Sequence, residues 1–398
     1  MKHFPLDSLN TMATPFYYYD MDCLENCVNN ALEAASKYDY SIHYALKANH
    51  NARILRFMND KGLGIDCVSE NELREALISD FPPSKILLAG VGKTDREIEM
   101  AIEHSIGAIH VESFEELEVI DEIAAKMGKV ARIALRINPD VNAKTHPGIT
   151  TGLNENKFGI SSHRIPEVKN ILRENHHIDL MGLHFHIGSQ IEDLSVFKDL
   201  VEKVNEIWNQ FKSLGFSFSY LNLGGGLGID YYNPDGACAP FESYFKLIHQ
   251  NLNVGEKTKV HFELGRSLVG QCGSLISRVL YVKKGSNREF LILDAGMTEL
   301  IRPALYNSYH QIDNLSSNEE MQIYDVVGPV CESSDSFAQK RNITRAKRND
   351  IIAIRSAGAY GQVMASNYNL RPSPKSVFSD ELTHKVSTNH PIDKNLVA

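Results

Sequence analysis

The sequence predicts an α/β protein, in which a (β/α)8 barrel of the TIM type is followed by a β-sandwich or β-barrel domain. Between residues 41 and 265, eight short apolar runs alternate with amphipathic segments, and eight strands close a β/α barrel. These runs span roughly 225 residues, close to the ~250 typical of that fold. Beyond Arg266 the runs are short and separated by turns, which is typical of a β domain.

The predicted barrel strands are apolar runs at 41–48, 64–69, 85–90, 108–113, 131–138, 180–188, 220–227 and 259–265. Amphipathic segments of helical length lie between many of them: Asn71–Ser79, Asp95–His104, Phe114–Met127 and Val196–Leu214. The alternation favours parallel pairing through βαβ units. A doubly wound open sheet is the alternative.

The two ends of the chain are predicted to differ from the barrel. Residues 14–20 form an extended aromatic strand that could pair into the β domain, and a helix follows over Asp22–Tyr38. Further strands are predicted at Leu275–Tyr281, Phe290–Asp294, Met321–Val327 and Ile351–Ile354. We therefore expect a barrel domain over 24–268 and a β domain built from 1–23 and 269–398, with a polar tail from about residue 380 that is partly ordered at best.

Composition excludes several classes of protein. The chain has 398 residues, of which 43% are hydrophobic and 23% charged, and its net charge of −9 argues against a nucleic-acid or anionic-membrane surface. No apolar run approaches the ~18 residues of a membrane span, and the first ten residues have no secretory h-region. The six cysteines are scattered, without disulfide density or metal-ligand spacing. We expect a cytoplasmic protein that carries no metal site.

Lys47 ends the first predicted strand, in Ser41-Ile-His-Tyr-Ala-Leu-Lys-Ala-Asn49. Burial of an ammonium is unfavourable, so it lowers the lysine pKa and makes the neutral amine available as a nucleophile. For an isolated lysine, a side chain that extends from the strand end to solvent is the more common outcome. The residues at the other strand ends therefore decide whether Lys47 is a nucleophile or a side chain that extends to solvent.

Polar groups occur at several other strand ends, where β/α barrels carry their active sites. Asp66 lies in the second strand, His184 and His186 end the sixth, Gly224, Gly225 and Gly226 end the seventh, and Glu263-Leu-Gly265-Arg266 ends the eighth. Many barrels bind phosphate with the loops after strands seven and eight, and bare glycine N–H groups suit an anion. Taken singly, the glycines could be a flexible turn and Arg266 a surface ion pair.

A nucleophilic lysine, a phosphate cradle and a buried carboxylate together suggest pyridoxal 5'-phosphate. This cofactor needs a lysine for covalent attachment and a carboxylate that keeps its ring nitrogen protonated, for which Glu263 is the candidate. His186 would stack on the ring, although a core histidine is the common alternative. Glu263 could instead form a structural ion pair with Arg266, and Asp66 could pair with Lys47 or with another neighbour.

The β domain adds further polar candidates. Cys331 lies in a loop rich in Gly, Pro and Ser, where a thiol is exposed enough to react, although a buried free cysteine is the usual case. Arg302 could bind a substrate carboxylate or lie at a domain interface. Tyr306 ends the motif Arg302-Pro-Ala-Leu-Tyr, and Tyr360 lies further on in the motif Ala357-Gly-Ala-Tyr-Gly.

At this point the chain resembles the fold-type III pyridoxal-phosphate decarboxylases, most closely the group that converts meso-2,6-diaminopimelate to L-lysine. The matching motifs span nearly the whole chain: Tyr44-Ala-Leu-Lys-Ala-Asn, Thr145-His-Pro, Glu155-Asn-Lys-Phe-Gly, His186-Ile-Gly-Ser-Gln, Gly224-Gly-Gly, Asp294-Ala-Gly-Met, Arg302-Pro-Ala-Leu-Tyr, Cys331-Glu-Ser-Ser-Asp, Ala357-Gly-Ala-Tyr-Gly and Met364-Ala-Ser-Asn-Tyr. The resemblance implies a barrel, a β domain and a head-to-tail homodimer with shared active sites.

The resemblance also implies a role for each matching residue. In the barrel, Lys47 would attach the cofactor, His186 would stack on it, Ser189, Gly226, Gly265 and Arg266 would lie at its phosphate, and Glu263 would face its ring nitrogen. Arg266, Arg302 and Tyr306 would hold the distal end of the amino-acid substrate, and Tyr360 would touch cofactor and substrate. From the partner subunit, Cys331 would donate a proton and Glu332 would recognise the distal ammonium.

Two short stretches depart from the family pattern. Glu-Leu-Gly-Arg replaces the usual Glu-Pro-Gly-Arg, and Ser69-Glu-Asn-Glu-Leu replaces Ser-Gly-Gly-Glu-Leu. The alternative activities are decarboxylation of ornithine, arginine or carboxynorspermidine. A racemase or a non-catalytic cofactor-binding protein is less favoured, because the β-domain motifs differ from those of racemases and both Lys47 and Cys331 are present.

Overall fold

The computed structural model describes residues 4–141 and 157–382 and divides the chain into two compact units. The barrel unit comprises the described parts of 27–229 and 237–268, and the β unit those of 1–26, 230–236 and 269–398. The Thr145-His-Pro motif, the start of the motif at Glu155 and the tail from Thr383 lie outside the described residues. The first elements, α1 (Leu6–Asn10) and β1 (Phe16–Tyr19), belong to the β unit.

In the described residues, eight parallel strands close the barrel. They are β2 (Ser41–Ala45), β3 (Gly64–Cys67), β4 (Ile86–Leu88), β5 (Ala108–Val111), β6 (Ala131–Asn138), β8 (Ile178–His184), β9 (Tyr220–Asn222) and β10 (Lys259–Leu264), with the short β7 (Ile160–Ser161) beside β6. The order β5-β4-β3-β2-β10-β9-β8-β6 returns to β5 through the β5–β6 pairing, so the ring has no open edge. The predicted barrel is confirmed, and the open doubly wound sheet is wrong.

Helices of the described residues connect successive strands. They are α2 (Met21–Ser36), α3 (Ala52–Asp60), α4 (Glu70–Ile78), α5 (Asp95–Glu103), α6 (Phe114–Lys126), α7 (Val168–Glu174), α8 (Ser195–Ser213), α9 (Phe241–Asn251) and α10 (Arg266–Val269). Polar caps fix where several begin: the Ser69 hydroxyl accepts the Glu72 N–H at 3.2 Å, and Thr94 with Glu97 forms a capping box. The unusual Ser69-Glu-Asn-Glu stretch therefore starts α4 normally.

The barrel interior combines an apolar layer with a polar one. Leu87, Ala108, Ala134 and Tyr220 pack together as a buried cluster. His110, His184, Asn222 and Glu263 are also buried, on neighbouring strands. Buried polar groups need partners, so this layer forms the hydrogen-bonded floor of the site described below.

The described part of the β unit contains one mixed eight-stranded sheet. Besides β1, its strands are β11 (Gly273–Lys284), β12 (Glu289–Leu293), β13 (Ile312–Asn314), β14 (Met321–Val327), β15 (Ser336–Thr344), β16 (Ile351–Ile354) and β17 (Lys375–Phe378), and it carries the short helix α11 (Arg302–Tyr306). β1 runs antiparallel to β11 and parallel to β17, as expected for the aromatic strand. Phe16, Tyr18, Ile276 and Ile351 contribute to its apolar core.

Sequence patterns missed three of these strands. β13 and β17 have three and four residues, too few for a clear alternation. β15 is largely polar and partly exposed, so its strand character comes from pairing with β14 rather than from its own side chains. None of the helices in the described residues has the length and apolar character that crossing a bilayer requires.

Candidate active site

Lys47 lies in a 3-10 turn, Leu46–Ala48, directly after β2. Its Nζ is 2.7 Å from Oδ2 of Asp66 on the adjacent strand β3, so of the two partners considered for Asp66 the structure provides Lys47. The Lys47 side chain is 36% exposed, whereas that of Asp66 is 0% exposed. Burial raises the pKa of Asp66 to about 6, with a further rise from Glu263, and Lys47 opposes it.

Glu263 ends β10 in the barrel interior and is contacted from three sides. Its Oε1 accepts a hydrogen bond from Asn222 Nδ2 at 2.9 Å and lies 3.2 Å from His110 Nδ1, while its Oε2 lies 3.2 Å from His184 Nε2. Burial by itself raises the pKa of Glu263, but His184 and His110 outweigh it, so the pKa is well below the usual range. Glu263 is therefore a carboxylate at neutral pH, and its contacts are with Asn222, His110 and His184 rather than with Arg266, the partner in the alternative interpretation.

His110 and His184 stack on each other beside this carboxylate. Their ring centroids are 4.0 Å apart and their planes differ by 18°. His110, His184 and Glu263 offer ligand atoms within 4.8 Å of one another, the spacing of a metal site. A metal ion must lie close to the plane of each ring that binds it, and two stacked parallel planes cannot both meet that condition. The arrangement therefore fits support of Glu263 better than metal binding.

His186 follows β8 and is held by the glycine-rich loop. Its Nδ1 accepts a hydrogen bond from the Gly225 N–H at 3.2 Å. Burial lowers the pKa of His186 to about 3, and the charges of Arg136 and Lys47 lower it further. The imidazole is therefore neutral at physiological pH, with its Nδ1 committed as acceptor, and it can present a flat uncharged face.

The three glycines after β9 are required by close packing. A Cβ on Gly225 would lie 2.1 Å from the Glu263 carbonyl oxygen, and one on Gly224, which has φ +67°, would lie 2.3 Å from that of Phe185. The N–H of Gly224 donates to Asn222 Oδ1 at 2.8 Å. Two of the three N–H groups thus donate within the protein, which differs from the expectation that all three are bare.

Arg266 begins the short helix α10 and is buried, with 4% exposure, so the alternative of a surface ion pair is wrong. Its Nη2 donates to the Ser189 hydroxyl at 3.1 Å, which joins the loops after β8 and β10. A Cβ on Gly265 would lie 3.0 Å from that of Ala48, next to Lys47. The structure thus brings the predicted barrel residues together at the C-terminal ends of the strands.

The β unit holds the remaining predicted residues. Arg302 is buried at the start of α11, with its guanidinium 5.9 Å from the ring of Tyr231 and 5.7 Å from that of Tyr306. Tyr360 has φ +54°, an uncommon conformation for a residue with a side chain. Such backbone strain is often retained at functional positions.

Cys331 and Glu332 are exposed in the β14–β15 loop, so the alternative of a buried Cys331 is wrong. The buried carboxylate of Asp335 holds this loop by accepting the N–H groups of Met297 at 2.6 Å and Val330 at 2.7 Å. Glu332 accepts a hydrogen bond from the Tyr368 hydroxyl at 2.8 Å. The loop therefore presents a thiol and an oriented carboxylate side by side.

Known proteins resemble the chain over almost all of its length. Residues 24–270 match the family model described as "Pyridoxal-dependent decarboxylase, pyridoxal binding domain". A diaminopimelate decarboxylase of Bacteroides thetaiotaomicron is 51% identical over 381 residues, which cover 95% of this chain and 99% of that protein. The chain belongs to the diaminopimelate decarboxylase family.

Solved structures of this family have the same fold. A diaminopimelate decarboxylase from Helicobacter pylori complexed with L-lysine has a TM-score of 0.88 and 40% identity, over 94% of this chain and 93% of that one. The corresponding protein from M. jannaschii, also in complex with L-lysine, has a TM-score of 0.87 and 36% identity, over 94% and 88%. A lysine/ornithine decarboxylase from Vibrio vulnificus, at 19% identity, shows a common fold only.

The cofactor of this family is pyridoxal phosphate, and the barrel residues fit it. Lys47 offers an amine, Glu263 a buried carboxylate for a protonated ring nitrogen, and the glycine loop a surface that a Cβ would fill. Among the described residues, Asp66 Oδ1 and Arg136 Nη2 are buried without a hydrogen-bond partner. Such orphaned atoms are expected where a polar ligand completes the site.

Sequence analysis overlooked several residues that the structure brings into the site. Asn222 lies two residues before the first glycine of the glycine-rich motif, and His110 and Arg136 lie in the C-terminal halves of β5 and β6. Arg136 is buried and pairs with Glu112 at 2.6 Å. A charged or polar side chain within an apolar run near a strand end could have identified these residues. The same signal predicted Asp66, His186 and Glu263 on other strands.

Proposed function

We propose that the protein catalyses the pyridoxal-phosphate-dependent decarboxylation of meso-2,6-diaminopimelate to L-lysine and CO2. The observation that carries the proposal is the pairing of Lys47 with Asp66 close to the ionised, buried Glu263. The 51% identity with a diaminopimelate decarboxylase over 95% of the chain supports the choice of substrate.

Lys47 and Asp66 prepare the amine that attaches the cofactor. An ammonium must lose a proton before it can act as a nucleophile, and Asp66 Oδ2 lies 2.7 Å from Lys47 Nζ. Because the pKa of Asp66 is raised to about 6, its carboxylate can accept that proton near neutral pH. Glu263 keeps the ring nitrogen protonated, and the bound cofactor supplies an electron sink for the carbanion left by CO2.

The loops at the strand ends hold the cofactor in place. Gly226, Gly265, Arg266 and Ser189 bind its phosphate, while Gly224 and Gly225 shape the loop and support His186. His186 packs its neutral ring against the cofactor. A neutral face avoids a second positive charge beside a protonated ring nitrogen.

Residues of the β unit recognise the substrate. Arg302 and Tyr306, together with Arg266, hold the distal carboxylate, and Tyr360 contacts substrate and cofactor. In a homodimer with shared sites, Glu332 of the partner subunit binds the distal ammonium and Cys331 of the partner subunit protonates Cα. The exposure of the β14–β15 loop supports this assembly, and six free thiols support a reducing compartment, the cytoplasm.

The test of this function is product formation by the purified protein. With pyridoxal phosphate and meso-diaminopimelate, lysine should form, and kcat/KM should exceed that for ornithine by at least about tenfold, since ornithine lacks the distal carboxylate that Arg302 would bind. Cofactor binding without lysine formation would contradict the proposal. A higher kcat/KM for ornithine would favour the alternative activity.

The catalytic roles are tested with two variants. Lys47→Ala should lose the visible absorbance of the covalently bound cofactor, whereas Cys331→Ala should keep that absorbance and form product slowly. Normal turnover with retained absorbance in Lys47→Ala would show that another lysine attaches the cofactor. A near-normal rate in Cys331→Ala would exclude the thiol as proton donor.

The shared site is tested by mixing these two variants. Random exchange of subunits makes half of the dimers heterodimers, each with one intact site, so about a quarter of wild-type activity should return. The control is the double variant Lys47→Ala/Cys331→Ala mixed with wild type. If the sites are shared, each heterodimer in this mixture has one substituted residue in both of its sites, so the heterodimers contribute no intact site. If the two single variants give no activity after exchange, the sites are not shared.

A further inference from the structure

Asn222 is a fully buried residue at the end of β9, between two regions of the candidate site. Its Oδ1 accepts the Gly224 N–H at 2.8 Å. Because a backbone N–H only donates, this contact fixes which end of the amide is oxygen. Its Nδ2 then donates one hydrogen to Glu263 Oε1 at 2.9 Å and the other to Tyr220 Oη at 3.0 Å.

Tyr220 extends this network to His110. Since Tyr220 Oη accepts from Asn222, its own hydrogen is available for His110 Nε2, which lies 2.9 Å away. An Nε2 that accepts leaves the hydrogen of a neutral imidazole on Nδ1. That nitrogen lies 3.2 Å from Glu263 Oε1, although the contact does not have hydrogen-bond geometry, so Asn222 is the neutral donor that bonds to this oxygen and His110 lies beside it.

We propose that Asn222 is a positioning residue that fixes the carboxylate of Glu263 relative to the glycine-rich loop. The groups that bind the ring nitrogen and the phosphate of the cofactor then keep a fixed relative position. The inference rests on the cofactor placement proposed above and adds a residue to it. Glu263 addresses the ring nitrogen and the loop approaches the phosphate, and a single amide bonds to both.

The amide suits this position because of its charge as well as its shape. An aspartate here could still accept the Gly224 N–H, but its second oxygen would face Glu263 Oε1. Two carboxylates at that distance share a proton, and one pKa is strongly raised. Asn222 thus supplies a donor without adding a charge, in a layer where His110, His184 and Asp66 already face Glu263.

Two substitutions separate the two halves of the role. Asn222→Asp keeps an acceptor for Gly224 but replaces the neutral N–H donor to Glu263 with a second carboxyl group that competes for a proton, whereas Asn222→Leu removes both contacts at similar volume. Pyridoxal phosphate and pyridoxal, which lacks the phosphate, are titrated into cofactor-free protein. Asn222→Asp should weaken both ligands by about tenfold, the effect of losing one hydrogen bond to a charged group, and should shift the absorbance maximum of the bound cofactor.

The ratio of the two affinities distinguishes the halves further. Asn222→Asp should leave the advantage of pyridoxal phosphate over pyridoxal unchanged, because the loop keeps its acceptor. Asn222→Leu should reduce that advantage by several-fold. Wild-type affinities and an unshifted spectrum in Asn222→Asp would overturn the inference.

A double-substitution cycle shows whether Asn222 acts through Glu263. In a Glu263→Gln background, Asn222→Asp should weaken cofactor binding by less than about twofold, since the carboxylate that it orients is gone. Fully additive losses would indicate a merely structural role and would overturn the inference. If Asn222→Asp does not fold, the same cycle is run with Asn222→Leu, whose effect on cofactor binding should be smaller in the Glu263→Gln background than in wild type; an equal effect in the two backgrounds would overturn the inference.

These readouts are independent of the proposed reaction. Wild-type protein that binds pyridoxal phosphate but releases no lysine would contradict the proposed function and leave the cofactor titrations interpretable. Wild-type product formation together with an unaffected Asn222→Asp titration would contradict only the role of Asn222.

Discussion

At the scale of single residues, burial determines the pKa of Asp66. Its side chain is completely buried, and the ion pair with Lys47 only partly offsets the loss of water. The resulting pKa of about 6, against about 3.9 for an exposed aspartate, lets Asp66 exchange a proton near neutral pH. The same shift means that ionisation of Asp66 lowers the free energy of unfolding.

The Asp66→Asn variant should therefore change the pH dependence of stability. A raised carboxyl pKa means that the folded state binds the proton more tightly, so stability is lost as pH rises through 6. Between pH 5 and 7.5 the variant should gain about 1.4 kcal/mol in free energy of unfolding relative to wild type. Urea unfolding of both cofactor-free proteins measures this, and a constant difference across that range would contradict it.

Tyr368 is a second residue whose effect can be isolated. Its hydroxyl donates to Glu332 at 2.8 Å, and Tyr368→Phe removes only that group. Since such a hydrogen bond is worth about 1 kcal/mol, the KM for diaminopimelate should rise about fivefold, with the bound-cofactor absorbance unchanged. Glu332→Gln is the control: combined with Tyr368→Phe, the two effects on KM should be less than additive. An unchanged KM in Tyr368→Phe would remove Tyr368 from substrate recognition.

At the scale of elements, the loop after β9 is specified by contacts rather than by glycine's flexibility. Its Gly225 packs so closely on β10 that no side chain fits between them. The N–H groups of Gly224 and Gly225 hold Asn222 and His186, so the loop is part of the support for both.

A Gly225→Ala variant should accordingly disrupt cofactor binding. The added Cβ would lie 2.1 Å from the Glu263 carbonyl oxygen, so the loop or β10 must shift. Overpacking of this kind costs about 1–3 kcal/mol, and affinity for pyridoxal phosphate should fall at least about tenfold. Gly92→Ala, where a Cβ would meet nothing within 4 Å, is the matched control and should bind as wild type. Equal binding by the two variants would exclude the packing argument.

At the scale of the whole molecule, the barrel carries an interior of neutral histidines. Burial lowers the pKa of His43 to about 4 and those of His184, His186 and His261 to about 3. An unfolded chain binds protons at these residues below pH 6.5, whereas the folded protein does not. Stability is therefore complete above pH 6.5 and is lost as pH falls toward the folded values.

The cofactor-free protein should thus lose stability steeply in mild acid. Four histidine protons favour unfolding, and the one bound by folded Asp66 opposes them, which leaves three and a slope of about 4 kcal/mol per pH unit between pH 6 and 4. Unfolding by urea at several pH values gives this slope, and His43→Gln should reduce it by about 1.4 kcal/mol per pH unit. A stability that stays constant from pH 6.5 to 4.5 would refute the prediction.

Much of this molecule can be predicted from its sequence, and the elements show why. The eight barrel strands are buried on both faces, so each is an apolar run that stands out between amphipathic helices. Strands such as β15, whose side chains are largely polar, gave no such pattern because β15 is held by backbone pairing with β14 rather than by an apolar face of its own. The motifs at the strand ends predicted Lys47, His186 and Glu263 as a group, and the structure brings them to the same end of the barrel.

The sequence by itself determined the fold class and the cofactor class and named the candidate site residues, because strand periodicity and strand-end motifs are local properties of the chain. Only the tertiary structure decided which groups hold those residues in place. Asn222 meets Glu263 and His110 meets Tyr220 across strands separated along the chain, and Lys47 meets Asp66 on the adjacent strand. Closure of the barrel creates these contacts, and burial among them sets the pKa values, so neither could be derived from the order of residues alone.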